Sequence, residues 1–106
     1  MHYRNYLDSD VRLKEAVKTS NPILLVAIGL TGAETIAIEI LNDGSVREPN
    51  VDPLNDSIWS VLTEGGNNVV MDVDTNNVFL QAPAQYRIQV STTPASQVKV
   101  VGYVYD

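Results

Sequence analysis

The segment Asp72-Val-Asp-Thr-Asn76 has the side-chain spacing in this chain that comes closest to a metal site. Its oxygen-bearing residues stand at the first, third and fifth places of a calcium-binding loop. Such a loop also needs a glycine at the sixth place and a glutamate at the twelfth, where this chain has Asn77 and Pro83. The segment therefore predicts a polar strand end and turn, and we expect no metal and no other cofactor.

Groups suited to nucleophilic or acid–base catalysis are sparse. His2 is the single histidine and lies in the first ten residues, so a Ser/His/Asp or Cys/His arrangement has no base within the body of the domain. The absence of cysteine excludes disulfides, thiolate chemistry and sulfur-based zinc sites. A carboxylate pair of the glycosidase type stays open as an alternative, although solvated loops explain the carboxylates more simply. We predict that the protein is not an enzyme.

Two aromatic residues suggest either a sugar platform or core packing. Trp59 is the single tryptophan and is flanked by Ile58 and Val61. Tyr86 follows a proline corner at the start of an apolar stretch, which predicts that its ring points inward and that Arg87 points outward. Core packing is the favoured interpretation because both aromatic residues lie within strand patterns.

The charge distribution argues against nucleic acid as a partner. The formal net charge is −6, and Arg47 is the only base between Thr19 and Tyr86, a stretch with nine acidic residues. This segment would repel phosphate groups. The longest apolar run, 23–30, is too short to cross a bilayer, and the first ten residues have no apolar core of signal-peptide length. We expect no membrane partner and synthesis in the cytoplasm.

Short alternating segments separated by turn residues dominate the sequence. A length of 106 residues predicts one domain, which we divide into an N-terminal arm (1–10) and a β-sandwich domain (11–106). Residues 12–18 fit a strand or one face of a helix, and we favour the strand. The other expected strands are 23–28, 35–41, 58–62, 69–73, 78–81, 85–91 and 98–105.

This pattern predicts an all-β protein: a single antiparallel β-sandwich of seven or eight strands, with either a jelly-roll or an immunoglobulin-like Greek key order. The run 23–28 is apolar without interruption, which predicts a central strand covered on both faces. The connection 45–56 is long and acidic, and we expect it to face solvent or a basic partner.

The last strand is apolar on both of its faces. Val98, Val100 and Val104 alternate with Val101, Tyr103 and Tyr105, so two coverings are needed. One interpretation is a central strand that the N-terminal arm shelters, and the other is a subunit interface, where tyrosine is favoured. The residues that we expect to contact a partner come from the arm and this strand: Tyr3, Arg4, Tyr6, Leu7, Val101, Tyr103 and Tyr105.

Three features together resemble the small β-sandwich virion proteins of tailed bacteriophages. They are the alternating strand that ends at Asn42-Asp-Gly44, the tryptophan strand 58–62, and the stretch Leu80-Gln-Ala-Pro-Ala-Gln-Tyr-Arg-Ile-Gln-Val90. The resemblance covers residues 23–105. The sequence departs from the family pattern in the extended 45–56 loop and at Ala84-Gln85, where a glycine is common.

The resemblance implies a structural role, that of a capsid decoration or cementing protein on the head surface of the virion. Its partner would be the major capsid protein or another virion protein, and it would form a homo-oligomer. The alternative is a receptor- or carbohydrate-binding module of a tail or fibre, with Trp59, Tyr86 and the long loop as its ligand surface.

Overall fold

The computed structural model describes residues 2–8, 13–31, 34–42, 52–91 and 98–105. Within these ranges the chain forms β-strands and one 3-10 turn, Asp56–Ile58, and the all-β prediction is confirmed. Within these ranges, no helix is long and apolar enough to cross a membrane. The strands are β1 (His2–Asp8), β2 (Lys14–Thr19), β3 (Ile23–Ile28), β4 (Ile36–Leu41), β5 (Trp59–Val61), β6 (Thr63–Glu64), β7 (Asn67–Asn68), β8 (Val70–Met71), β9 (Asn77–Leu80), β10 (Ala84–Val90) and β11 (Lys99–Val104).

The main strands form two antiparallel sheets that pack against each other as a β-sandwich. The front sheet has the order β1-β11-β3-β9, and the back sheet has the order β2-β10-β4-β5, with β8 also paired to β4. The pairing is nested, because β1 pairs with β11, β2 with β10, β3 with β9, and β4 with β5 and β8. Consecutive strands from β1 to β4 therefore alternate between the sheets, and the antiparallel sandwich prediction is confirmed.

The core lies between the sheets and follows from strand alternation. Ile23 and Leu25 of β3 are fully buried, as are Ile36 and Ile38 of β4. In a strand, every second side chain points to the same face, so these residues meet across the two sheets. Other buried core residues are Val17, Met71, Leu80, Ala84, Tyr86, Ile88, Val90, Val98 and Val100.

Several strand predictions agree closely with the structure. Residues 23–28 form β3, which lies inside the front sheet, and residues 14–19 form a strand rather than a helix. The tryptophan strand begins one residue later than expected because Asp56–Ile58 is a 3-10 turn, capped by the Asn55 side chain. Residues 43 and 44 of the expected strand end at Asn42-Asp-Gly44 lie outside the described residues.

The first residues are part of the front sheet rather than a separate arm. β1 pairs with β11 as the edge strand, and the register shifts between Asn5 and Leu7. This bulge directs two successive side chains, Tyr6 and Leu7, into the core. The Tyr6 ring packs against Gly102 of β11. A Cβ at position 102 would lie 2.4 Å from this ring, so the glycine leaves the space that the ring needs.

A small hairpin interrupts the edge of the back sheet. β5 and β8 pair with different parts of β4, and β6 and β7 project between them as a two-stranded unit. The backbone hydrogen bond from Val69 N to Leu62 O, 2.8 Å long, closes its base. Gly65 and Gly66 have φ values of +60° and +84°, as a two-residue hairpin turn with positive φ at both positions requires.

Candidate contact surface

The outer face of the front sheet carries a row of large side chains across all four strands. The register places Tyr3 of β1 opposite Tyr103 of β11, Tyr103 opposite Leu24 of β3, and Leu24 opposite Phe79 of β9. In β3, β9 and β11 the side chains on either side of this row lie in or against the core, among them Ile23, Leu25 and Leu80, so strand alternation directs the row outward. Tyr105 follows β11 on the same face. We call Tyr3, Leu24, Phe79, Tyr103 and Tyr105 the aromatic face.

Contacts between rings order the aromatic face. The ring centroids of Tyr3 and Tyr103 are 5.4 Å apart, and those of Phe79 and Tyr105 are 5.6 Å apart in an edge-to-face arrangement. Both distances are typical of favourable aromatic pairs. The rings are nevertheless open to solvent, because Tyr3 is 59% exposed, Phe79 44% and Tyr105 39%. The result is an apolar surface that is preformed on paired strands.

None of the described segments covers this face. β1 lies beside β11 as its sheet neighbour and contributes Tyr3 to the same surface, so it does not shelter the outer side of β11. β3 is likewise buried on its inner side, while Ile28 at its end is 51% exposed. The expectation that β3 is covered on both faces is therefore wrong for the residues that the structure describes.

The structure places the expected contact residues in different environments. Tyr3, Tyr103 and Tyr105 lie on the aromatic face, whereas Tyr6 and Leu7 are buried in the core. Their assignment as contact residues is therefore corrected, because the bulge in β1 turns both inward. Val101 points outward but is buried, and its neighbours in register are Asn5 and Val26. Arg4 is exposed, and its guanidinium lies 5.1 Å from the centroid of the Tyr6 ring.

Sequence reasoning missed Leu24 and Phe79 as members of this surface. Both stand in strands whose inward positions are also apolar: Ile23 and Leu25 flank Leu24, and Leu80 follows Phe79. The same signal, apolar residues on both faces of one strand, identified β11. Only the register shows that the three strands present one continuous row.

The outer face of the back sheet holds the main cluster of charged side chains. Arg87 of β10 is 3% exposed, and its Nε and Nη2 donate to Glu39 Oε1 at 2.9 and 2.7 Å. Its Nη1 donates to Pro53 O at 3.0 Å and to Asp56 Oδ1 at 2.6 Å, and its guanidinium lies 5.7 Å from the Trp59 ring. Arg87 points outward as expected and fastens the segment before β5 to the sheet.

This cluster has the geometry of a clamp rather than of an acid–base pair. Hydrogen bonds from Lys14 and Arg87 hold the pKa of the Asp56 carboxyl below its usual range. A general acid in a glycosidase needs the opposite shift. Glu39 shares the same guanidinium, so both carboxylates serve to position Arg87 and the 3-10 turn. Residues 45–51 of the expected acidic loop lie outside the described residues.

The two aromatic residues of the suggested sugar platform lie on opposite faces of the back sheet. Tyr86 is buried in the core and its hydroxyl donates to Ala82 O at 2.7 Å. This local bond resembles the tyrosine corner of β-sandwich proteins. Trp59 is also buried, but it lies beside Arg87 on the outer side. The two rings therefore do not form one surface.

The candidate calcium segment forms a turn that its own side chain stabilises. Asp72 Oδ1 accepts hydrogen bonds from the backbone N of Asp74 at 2.9 Å and of Thr75 at 2.7 Å, and Asp72 N donates to Thr75 O at 3.0 Å. This is the polar strand end and turn that the sequence predicted. Across the described ranges, no three residues of the types His, Cys, Asp and Glu are grouped closely enough to hold a metal ion.

Comparisons with protein-family models, with curated proteins and with solved structures found no match to this chain.

Proposed function

We propose that this protein is a structural component of a virus particle, a decoration protein that binds and reinforces the assembled shell through its aromatic face. The observation that carries the proposal is that this face is apolar, preordered and uncovered by the described residues. Large exposed apolar patches on soluble domains mark surfaces for protein or membrane contact. The proposed partner is a shell subunit.

The composition of the aromatic face supports protein–protein contact. Tyrosine and phenylalanine are enriched in the buried centres of protein interfaces, where charged residues are depleted. Each tyrosine brings a large ring and a hydroxyl that can find a polar partner, and it loses little conformational freedom on binding. The next row in register, Asn5, Val101, Val26 and Asn77, carries no charge. The surface therefore suits a partner that is itself apolar and uncharged at this point.

The nested strand order gives independent support at the level of the fold. One long hairpin that is rolled into two sheets pairs its first strand with its last, as in the jelly rolls of viral capsid and lectin domains. An immunoglobulin-type sandwich instead pairs its first two strands in one sheet. Here β1 and β2 lie in different sheets, which favours the jelly-roll order.

The structure supports a carbohydrate-binding role on a tail or fibre less well than it supports shell attachment. Trp59 and Tyr86, which would form the sugar platform, lie on opposite faces of the back sheet. A glycan array read together with Trp59 fluorescence would test that role. Glycan binding accompanied by a fluorescence change would favour it over shell attachment.

The first experiment asks whether the protein is part of virus particles. Particles from the infected host that makes this chain are purified by density gradient, and the chain is quantified by mass spectrometry against the shell protein. We expect a fixed, high ratio to the shell protein. Absence of the chain from intact particles, or a ratio typical of a minor contaminant, would overturn the proposal.

The second experiment asks whether the aromatic face makes the contact. Tyr3→Ser and Phe79→Ser truncate its two ends, and Leu54→Ser and Val61→Ser are matched controls at exposed apolar side chains elsewhere. If the truncated ring is a binding hot spot, its loss weakens binding to isolated shells on the order of thirtyfold. Equal binding by the face variants and the controls would assign attachment to another surface.

A further inference from the structure

β9 is the last strand of the front sheet. One of its sides pairs with β3, and no described strand pairs with the other side, which we call the free edge. The hydrogen bond from Ala27 N to Asn76 O, 2.8 Å long, sets the phase of the ladder between β3 and β9. Hydrogen-bonded pairs alternate with non-bonded pairs in an antiparallel ladder, so Val78 and Leu80 bond to β3. The backbone groups of Asn77, Phe79 and Gln81 therefore point away from the sheet, where no strand of the described chain pairs with them.

Two other edges, those of β2 and β1, carry features that hinder strand addition. The bond from Val90 N to Leu13 O sets the phase of β2, and Lys14 and Lys18 then present their backbone to its open edge. Lysines and bulges are the devices by which natural proteins block edges, and β1 has a bulge before Leu7. β9 has no charged residue, proline or bulge within its four residues. It is the least protected of these three edges.

A groove runs along this edge of β9. It has a volume of about 530 Å³ and lies between β9 and the β6–β7 hairpin. Side chains that pack against or within the core, among them Leu62, Val69 and Tyr86, line it, and Thr63 and Glu64 of the hairpin form the opposite wall. The groove therefore combines free main-chain donors and acceptors, an apolar lining and one carboxylate.

We infer that the β9 edge binds an extended segment of a partner protein, which adds a fifth strand to the front sheet. The segment would be about five residues long, since the backbone groups that point away from the sheet extend from Asn77 to Gln81. Alternate side chains of the added strand face the groove lining and are apolar, and a lysine or arginine of the segment pairs with Glu64. Main-chain hydrogen bonds provide the affinity in this mode of recognition, and the groove provides the specificity. The inference stands independently of shell attachment.

The test uses a surface-displayed library of random octapeptides, selected for binding to the whole protein. The enriched peptides are then measured against wild-type protein and the double variant Asn77→Pro/Gln81→Pro, which removes two N–H groups from the edge. Proline is tolerated on edge strands where the lost N–H faces solvent. We expect enriched peptides to have alternating apolar residues and a base, and to bind the double variant at least about tenfold more weakly.

Val61→Pro is the matched control. The bond from Leu62 N to Ile38 O shows that Val61 of β5 directs its own N–H to the open edge of the back sheet. This variant is expected to bind the peptides within about twofold of wild type. A second measurement needs no variant: N-methylation of the alternate peptide residues that face β9 is expected to abolish binding, and amide NMR shifts on binding are expected at Asn77, Phe79 and Gln81.

Three results would overturn the inference. They are the failure of any octapeptide to be enriched, equal binding by the double variant and wild type, and retained binding by the N-methylated peptides. NMR shifts confined to Tyr3, Leu24, Tyr103 and Tyr105, without shifts at Asn77 and Gln81, would also contradict it, because they would place the peptide on the surface proposed for shell attachment.

Discussion

Gly102 makes room for Tyr6, and replacing it with alanine tests how β1 is held on the front sheet. A Cβ at this position would lie 2.4 Å from Tyr6 Cε2 and 2.9 Å from Ile23 Cδ1. Carbon atoms pack at about 3.5–4.0 Å, so the tyrosine ring must move by roughly an ångström. The isoleucine contact matters less, since Cδ1 is the end of a flexible side chain.

The expected magnitude follows from two opposing effects. Overpacking of a core costs about 1–3 kcal/mol. Alanine returns about 0.5–1 kcal/mol because glycine loses more backbone freedom on folding. We expect Gly102→Ala to lower the free energy of unfolding by about 1–2 kcal/mol. In a Tyr6→Leu background, where the ring is absent, we expect the same substitution to raise it by up to about 0.5–1 kcal/mol.

The assay is urea unfolding at pH 7, followed by Trp59 fluorescence, of the wild type, both single variants and the double variant. With a slope of about 2 kcal/mol per molar urea, the midpoint of Gly102→Ala falls by roughly 0.5–1 M. Hydrogen exchange provides a second readout, because a displaced Tyr6 loosens β1 and its amides lose protection. An equal loss in both backgrounds would refute the reasoning, since the new methyl group would then be meeting something other than the ring.

Three further predictions concern the back sheet and the buried tyrosines. Arg87→Met leaves the Glu39 carboxylate without its guanidinium partner and is expected to destabilise the fold by about 3 kcal/mol in urea unfolding. Adding Glu39→Gln to this variant should recover part of the loss. A loss below about 0.5 kcal/mol in Arg87→Met would contradict the clamp. Tyr86→Phe removes the bond to Ala82 O and should cost about 1 kcal/mol in the same assay, so an unchanged midpoint would speak against the corner. Burial raises the pKa of Tyr6 and of Tyr86 above the ordinary value of 10.0; the unfolded state then ionises first, so stability is complete below that pH and falls as the pH rises past it. Thermal melting between pH 8 and 11 measures this loss of stability, and the loss should be smaller in Tyr6→Phe. An equal loss in that variant and the wild type would contradict the contribution of Tyr6.

The strands that the sequence located best are those with an unbroken pattern. Residues 23–28 are apolar without interruption, and 35–41 alternate cleanly, so the pattern itself marks β3 and β4. The sequence pattern does not predict β1 as a strand, because its bulge places Tyr6 and Leu7 on the same side and interrupts the alternation. A local pattern cannot reveal such a strand, since the partner that holds it is far away in the sequence.

The contact surface shows the same limit. The double-sided strand β11 predicts an interface that includes Tyr103 and Tyr105, and Tyr3 enters the prediction as part of the N-terminal arm. Leu24 and Phe79 join them only through the register of four strands, which depends on long-range pairing that alternation does not encode. The free edge of β9 could likewise not be predicted from the sequence, because the order of the strands decides which of them lies at an edge.

The pairing of β1 with β11 has a consequence for how the protein is made. His2 lies opposite Val104, so about a hundred residues must be synthesised between the two partners. At about 5–20 residues per second, β1 spends roughly 5–20 s without its neighbour. During that interval Tyr6 and Leu7 have no completed core to enter.

The nested pairing also makes most contacts distant in sequence, and this topology slows folding. The β4–β5 pair can form first, and the β1–β11 pair closes the front sheet last. Crowded nascent chains are therefore exposed to exchange of β1 between molecules, and slower translation of the segment between β5 and β11 would prolong the period in which that exchange can occur.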